Sequence, residues 1–215
     1  MKSKTKQEVL RIIHNSALAY KENLVHKNVL FLTLSTSVAT HFEAAFLPRN
    51  FLHLTGVKSE LTSIDFYDLA VRDRLREQDF RIATDGTTDK KLDVLLSLMN
   101  IHITARMVGD YNFSQSLLVT DKLAGTVTSA MGFRRNGDIY MPNTALKTDV
   151  RDIVKHPVQR IAAIFIKKKH DTKYCELTYI AKGLTIDDDT LKLFFEDKVD
   201  FQNLTASFPI PRRLV

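Results

Sequence analysis

The chain has 215 residues, of which 44% are hydrophobic and 26% are charged. This is an ordinary globular composition with enough apolar material for a core. Its one cysteine, Cys175, excludes an intrachain disulfide and fits a reducing compartment. No segment approaches the ~20 apolar residues that span a bilayer, and no apolar core follows the basic N-terminus as in a secretory signal. We therefore expect a cytoplasmic protein without a membrane partner. The net charge of +6 favours an anionic partner, most commonly nucleic acid.

The first fifty residues predict one helix and two strands. Apolar residues at helical spacing predict a helix from Lys6 to about Glu22. Its buried face would be formed by Val9, Ile12, Ile13, Ala17 and Tyr20. The apolar run 28–34 predicts a buried strand, and residues 39–47 predict a second one. Pro48 ends it, because proline lacks the backbone N–H that a central strand needs.

The next stretch, 50–57, offers a candidate catalytic pair. If it is a buried strand, His53 and Thr55 share one face, because side chains of an extended chain alternate. A histidine beside a hydroxyl can act as an acid/base pair, since histidine side chains titrate near neutral pH. The alternative is that both are partly buried strand residues with satisfied hydrogen bonds.

Two further helices are predicted before the second half of the chain. Thr62 and Asp65 have the spacing of a capping box. The apolar stripe of this first helix would comprise Ile64, Tyr67, Val71 and Leu75. The leucine-rich stripe within 89–99 predicts a core-packing helix after the turn and helix cap at residues 85–88. Lys91, in its first turn, could reach an anion or simply lie on the surface.

From Ile101 onward the apolar period is two, which predicts strands. The predicted order is a strand at 101–107, a turn at 109–112, a strand at 116–120, a loop at 121–125, and strands at 126–135, 138–141, 158–168 and 174–181, with a short helix at 191–195. Asn136-Gly137 predicts a two-residue type I′ hairpin. Helices segregated from such strands predict an α+β fold, with N-terminal helices packed on an antiparallel sheet.

Several familiar sites are absent from the sequence. It has no glycine-rich phosphate loop, no Gly-x-Gly-x-x-Gly pattern, and no His-x-x-x-His or Cys-x-x-Cys spacing. The acidic triple Asp187-Asp188-Asp189 is typical of a solvated turn, and Cys175 of a buried, inert thiol. We therefore expect neither a metal nor a cofactor.

The remaining polar residues suit metal-free chemistry on RNA. His53 is the candidate general base or acid, and Lys122 could offset charge on a phosphorane. Arg134 or Arg135 could bind a phosphate, and Tyr140 could stack on a base. This is the inventory of a metal-independent ribonuclease. For each cation and for Tyr140, the ordinary alternative is surface charge or hairpin packing.

An ordered series of short segments resembles a known nuclease group. The segments are Phe51-Leu52-His53-Leu54-Thr55-Gly56-Val57, Asp85-Gly86-Thr87 with Lys91-Leu92, Thr120-Asp121-Lys122-Leu123-Ala124-Gly125, Met131-Gly132-Phe133 and Tyr140-Met141-Pro142-Asn143-Thr144. Together they resemble the phage barnase–EndoU–colicin E5/D–RelE-like nuclease families, most of all the fourth. The similar region is residues 25–182, between an N-terminal helix at 1–24 and a C-terminal extension at 183–215.

The resemblance implies N-terminal helices followed by an antiparallel sheet whose open face is the active site. It also implies metal-independent cleavage of RNA, such as tRNA or mRNA, by a toxin or effector of a prophage or mobile element. An antitoxin or a host protein would be its protein partner. The polar positions that match the family, and would be catalytic, are His53, Thr55, Lys122 and Asn143.

Two other functions fit the same residues. One is a non-catalytic nucleic-acid- or protein-binding module on the same fold, such as a phage-encoded inhibitor of a host system. The other is transfer of a nucleotide group, for example from NAD, which needs a deep pocket with a carboxylate near His53. The ribonuclease instead needs His53 to face solvent near a hydroxyl and a cation.

Overall fold

The computed structural model of the protein describes residues 3–34, 39–113, 118–186 and 195–210. The α-helices in these ranges are α1 (Lys6–Asn23), α2 (Phe51–Thr55), α3 (Ser63–Val71), α4 (Thr87–Leu98) and α5 (Ile101–Thr104). The strands are β1 (Lys27–Leu34), β2 (Ala39–Ala45), β3 (Met107–Asp110), β4 (Lys122–Gly125), β5 (Ala130–Asn136), β6 (Ile139–Leu146), β7 (Gln159–Lys168), β8 (Glu176–Ile180) and β9 (Thr205–Ala206).

All of these strands belong to one sheet, and seven of them close into a ring. Neighbours follow the order β1-β2-β6-β5-β4-β3-β7, and β7 pairs back with β1. The pairs β2–β6 and β8–β9 are parallel, and the others are antiparallel. The α+β prediction is confirmed. The sheet is mixed rather than wholly antiparallel, and its closure replaces the expected open face with the end of a ring.

The inner face of the ring and the helices share the main core. Phe31 and Phe42 stack with ring centroids 4.7 Å apart, and Phe133 lies edge-on to both. From the helical side, α1 buries Val9, Ile13, Ser16, Ala17 and Tyr20. This agrees with the face predicted from its spacing, apart from Ile12, which is partly buried, and Ser16. The helices and the inner face of the ring therefore form one continuous core.

Helix starts and the hairpin follow the sequence signals closely. Thr5 and Glu8 form a capping box at the start of α1, and the Thr62 hydroxyl accepts a hydrogen bond from the Asp65 N–H in the first turn of α3. The apolar stripe of α3 differs from the prediction, since Phe66 is buried and Ile64 is 55% exposed. The predicted hairpin forms between β5 and β6.

The hairpin turn lies one residue later than predicted. Asn136 pairs with Ile139, so the central residues are Gly137 and Asp138. Only Gly137 of these two has a positive φ, at 63°. A glycine with positive φ at the first central position is typical of a type II′ turn rather than type I′.

The predicted strand at 50–57 is wrong, because the stretch folds as the short helix α2. Its buried residues Phe51, Leu54 and Thr55 are spaced three and four apart, as on one helix face. Gly56 ends the helix in the left-handed conformation, with φ of 73°. A short apolar run fits a helix as well as a strand, and here its contacts with α4 and β6 decide.

Other predictions fail where glycine lies inside a strand. Residues predicted as a turn at 109–112 and a loop at 121–125 contribute to β3 and β4, whereas the start of the predicted strand 101–107 forms α5. A Cβ on Gly125 would lie 2.1 Å from the Ser129 carbonyl oxygen, so this glycine permits close packing.

Leu118–Thr120 is not a strand, and the rest of the strand predicted at 116–120 lies outside the described residues. The acidic triple at 187–189 and most of the helix predicted at 191–195 also lie outside them.

The described part of the C-terminal region packs on the outer face of the ring. Phe195 and Val199 join a second core cluster with Leu30 and Phe165 of β1 and β7. Glu43 of β2 accepts hydrogen bonds from the Tyr174 hydroxyl (3.0 Å) and from Lys198 Nζ (2.6 Å). Burial alone would raise the pKa of Glu43, but these two partners outweigh it and lower the pKa.

Candidate active site

At one end of the ring, the inner face changes from apolar to polar. Alternate side chains of a strand share a face, so a polar residue two positions from a core residue continues the inner face. The apolar and polar partners are Phe31 and Thr33, Phe42 and Thr40, Val108 and Asp110, Ala124 and Lys122, and Ile161 and Gln159. Strand registers bring the polar members together, because Thr33 pairs with Thr40 and Asp110 pairs with Lys122.

These polar residues surround a cavity of 470 Å³. Lys155 and His156, from the segment before β7, complete its wall. We call it the polar-end cavity and define it by Thr33, Thr40, Asp110, Lys122, Lys155, His156 and Gln159. Its volume is in the range of small-ligand sites.

Hydrogen bonds fix the hydroxyl side of the cavity. The Thr33 and Thr40 hydroxyl oxygens lie 2.6 Å apart in a hydrogen bond in which either can be the donor, and each oxygen lies 3.4 Å from Gln159 Oε1. Thr33 is 3% exposed, Thr40 is half-buried and Gln159 is exposed, so this polar wall runs from the buried part of the cavity to its open rim. This wall can donate hydrogen bonds to a ribose or accept them from it.

The cationic side of the cavity contains an exchangeable ion pair. Lys122 Nζ lies 2.5 Å from Asp110 Oδ1, and the Lys122 side chain is 24% exposed while that of Asp110 is 59% exposed. Ion pairs with such solvent access contribute little stability. A phosphate could therefore take the place of Asp110 as the partner of Lys122.

The structure places two more predicted residues beside this cavity. The Tyr140 ring lies edge-on to Phe42 and 5.8 Å from Lys122 Nζ. Arg135 pairs with Tyr140 in the β5–β6 register, is exposed, and donates from Nε to the Gly137 carbonyl. Arg134 is also exposed but belongs to the opposite face of β5.

His53 and Thr55 do not form the predicted pair. Two residues apart on a helix, they point to nearly opposite sides, and His53 is exposed whereas Thr55 is 0% exposed. The Thr55 hydroxyl donates to the Leu52 carbonyl (2.7 Å) and accepts from the Val57 N–H (3.2 Å). Thr55 thus closes the end of α2, and neither residue lines the polar-end cavity.

Lys91 and Asn143 are engaged in the fold. Lys91 Nζ donates to the His53 carbonyl at 3.1 Å, and burial lowers its pKa. Asn143 Nδ2 donates to the Val119 carbonyl (2.5 Å), and its Oδ1 accepts from the Thr120 hydroxyl (3.2 Å). Asn143 therefore holds the segment that leads into β4 and positions Lys122 rather than facing the cavity.

Sequence reasoning missed most of the cavity. His156, Lys155 and Gln159 flank the start of β7, and Thr33 and Thr40 lie on β1 and β2. One available signal was the appearance of threonine at inward positions near the strand ends. His41 also borders the cavity, but its ring lies edge-on to Phe195, and burial and Lys198 lower its pKa.

Comparison with known families matches the region that contains this cavity. The model of a family described as phage-Barnase-EndoU-ColicinE5/D-RelE like nuclease4 matches residues 12–183. The resemblance suggested by the ordered segments is thereby confirmed. No curated protein and no solved structure matches the chain.

In the described ranges, no helix is long and apolar enough to cross a bilayer, and no three His, Cys, Asp or Glu residues are grouped as metal ligands would be.

Proposed function

Because the chain belongs to the fourth phage barnase–EndoU–colicin E5/D–RelE-like nuclease family, we propose that it is a metal-independent endoribonuclease. Its active site is the polar-end cavity. The observation that supports this location is the convergence of His156, two lysines and a hydrogen-bonded threonine pair around one space. These groups supply a base, charge stabilisation and ribose contacts without further help.

Each step of RNA cleavage has a candidate residue. His156 takes the proton of the ribose 2′-OH, and the 2′ oxygen attacks the adjacent phosphorus. Lys122 stabilises the negative charge of the phosphorane. As the bond from phosphorus to the 5′ oxygen breaks, that oxygen receives a proton from Lys155. The proton held by His156 then returns to Lys155 through water, which restores both groups. The products are a 2′,3′-cyclic phosphate and a 5′-hydroxyl.

The surroundings of the cavity would position the substrate. Thr33, Thr40 and Gln159 contact the ribose through their existing hydrogen-bond network. Asp110 releases Lys122 when the scissile phosphate arrives. Arg135 and Tyr140 lie beside this end of the ring and bind the flanking nucleotides.

Cleavage of total RNA in EDTA by the parent protein and by Lys122→Ala tests the chemistry. We expect the parent to leave 2′,3′-cyclic phosphate ends and to spare RNA whose 2′ oxygens are methylated. Lys122→Ala, purified identically, should be slower by about 10²–10³-fold, as when one charge-stabilising donor is removed. Intact RNA with the parent, ends of other chemistry, or equal rates for both proteins would overturn the proposal.

The same proposal extends to a biological setting. The substrate would be cellular tRNA or mRNA, and the protein a toxin or effector of a prophage or mobile element, as the phage origin in the family description supports. The competing function, a non-catalytic binding module, would be supported by a parent protein that binds RNA but leaves it intact.

A further inference from the structure

Phe113 differs from the other exposed apolar residues because a large aromatic ring here adjoins a cavity cation. It is 60% exposed. Singly exposed apolar residues, such as Val119 and Val127, are common and need no explanation. Lys155 Nζ, however, lies 5.7 Å from the Phe113 ring centroid, and Lys155 also lines the polar-end cavity. The ring is therefore one side chain away from the proposed reaction site.

The ring and the cation are both anchored to the end of β3. Tyr111 is fully buried, and the Phe113 ring lies edge-on to it at 5.1 Å between centroids and 76° between planes. The Asn112 N–H donates to the Ile153 carbonyl at 3.1 Å. The Lys155 N–H donates to the Asp110 carbonyl at 2.8 Å. This arrangement holds an aromatic ring at the surface, where most of it is free for contact.

We propose that Phe113 is a stacking platform for a base of single-stranded RNA, beside the nucleotide held in the polar-end cavity. The inference rests on the proposed function and adds the class of substrate. Aromatic rings stack on bases of any sequence, and a neighbouring cation can bind the connecting phosphate. Bases in a duplex stay in their own stack, so the platform selects single strands.

A single tryptophan at this position would report stacking directly, because the chain has no tryptophan. We expect emission of Phe113→Trp to be quenched by a single-stranded 2′-O-methyl oligonucleotide and much less by the same sequence as a duplex. The matched control is Ile64→Trp on α3, where the native residue is 55% exposed and the helix packs on α1. Its emission should not change. Absence of quenching at 113, or equal quenching at 64, would overturn the proposal.

Affinity gives a second, independent measurement. Phe113→Ala should weaken binding of the 2′-O-methyl strand by roughly tenfold or more, whereas Phe113→Tyr retains it. In cleavage, Phe113→Ala should raise KM with little change in kcat. Unchanged affinity of Phe113→Ala would overturn the stacking role. Because the 2′-O-methyl strand lacks a free 2′-OH, its binding can be measured even if the protein cleaves no RNA. Cleavage of RNA by the parent, without quenching of Phe113→Trp, would overturn the stacking role but not the proposed ribonuclease.

Discussion

At the level of single residues, His53 and His156 are both exposed but differ in their neighbours. His156 shares a cavity with Lys122 and Lys155. His53 lies on α2, where the nearby amine of Lys91 is bound to the His53 backbone carbonyl. Acid/base catalysis of phosphodiester cleavage needs a base and charge stabilisation around one phosphate. Of these two histidines, only His156 has cations beside it that could stabilise the charge on the same phosphate.

Thr55 is expected to stabilise the fold through its hydroxyl. Thr55→Val keeps the shape but leaves the Leu52 carbonyl and the buried Val57 N–H without this partner. We expect a loss of about 1–3 kcal/mol in the free energy of unfolding, measured in urea. Thr55→Ser is the control and should lose much less. Equal stability of Thr55→Val and the parent would contradict this role.

His102 should make the protein sensitive to acid. Burial, with a smaller contribution from Lys27, lowers its pKa to about 4, and its Nδ1 is buried without a hydrogen-bond partner. The unfolded chain, with an ordinary histidine pKa near 6.5, binds a proton first as pH falls. Stability contributed by neutral His102 is therefore present above about pH 6.5 and is lost towards pH 4.

The test compares free energies of unfolding at pH 7 and pH 4.5. In His102→Gln, the loss between these two pH values should be smaller than in the parent by about 2 kcal/mol. The same substitution at exposed His170 is the control and should not change the loss. A pH dependence of His102→Gln that parallels the parent would refute the assignment.

At the level of elements, Asn143 should control the segment that leads into β4. Asn143→Ala removes the bonds to the Val119 carbonyl and the Thr120 hydroxyl. We expect faster amide hydrogen exchange over 118–122 and a loss of about 1 kcal/mol in stability. Asn203→Ala, which removes a side-chain hydrogen bond to Asp200, should leave that segment unchanged. Unchanged exchange over 118–122 in Asn143→Ala would show that the segment is held by other bonds.

Elements with strong local signals could be predicted from the sequence, whereas the short apolar run at 51–55 could not be assigned to the right type of element. The apolar spacing of α1 and the leucine stripe of α4 are signals that act within a few residues, so these helices could be predicted close to their observed limits. Residues 51–55 carry no such signal, and tertiary packing made them a helix. In β4, Gly125 indicated a turn but instead allows close approach of the next strand.

At the level of the whole molecule, the candidate site depends on contacts between distant parts of the chain. Thr33 and Gln159 are hydrogen-bonded although 126 residues separate them. Lys122 joins them only because β3, β4 and β7 are neighbours in the ring. Local periodicity carries no information on such pairings, so His156 and the threonine pair could not be found from the sequence. Lys122 was predicted on the chemistry of its side chain alone.

The C-terminal region should unfold together with the ring. Phe195 is 2% exposed in a cluster with β1 and β7, so Phe195→Ala should lower the stability of the entire domain by about 3 kcal/mol or more in one transition. Phe113→Ala, at an exposed ring, should cost less than about 1 kcal/mol. Urea unfolding followed by circular dichroism checks both. An unchanged main transition in Phe195→Ala would indicate a separately folding extension.

The location of the active site is tested most directly by single-turnover RNA cleavage rates of His156→Ala and His53→Ala, measured in EDTA at matched folded concentration. The polar-end cavity predicts a loss of about 10²–10⁴-fold for His156→Ala, as expected for a general base. It predicts a rate close to the parent for His53→Ala. The reverse result, with His53→Ala inactive and His156→Ala near the parent rate, would contradict the assignment of the cavity.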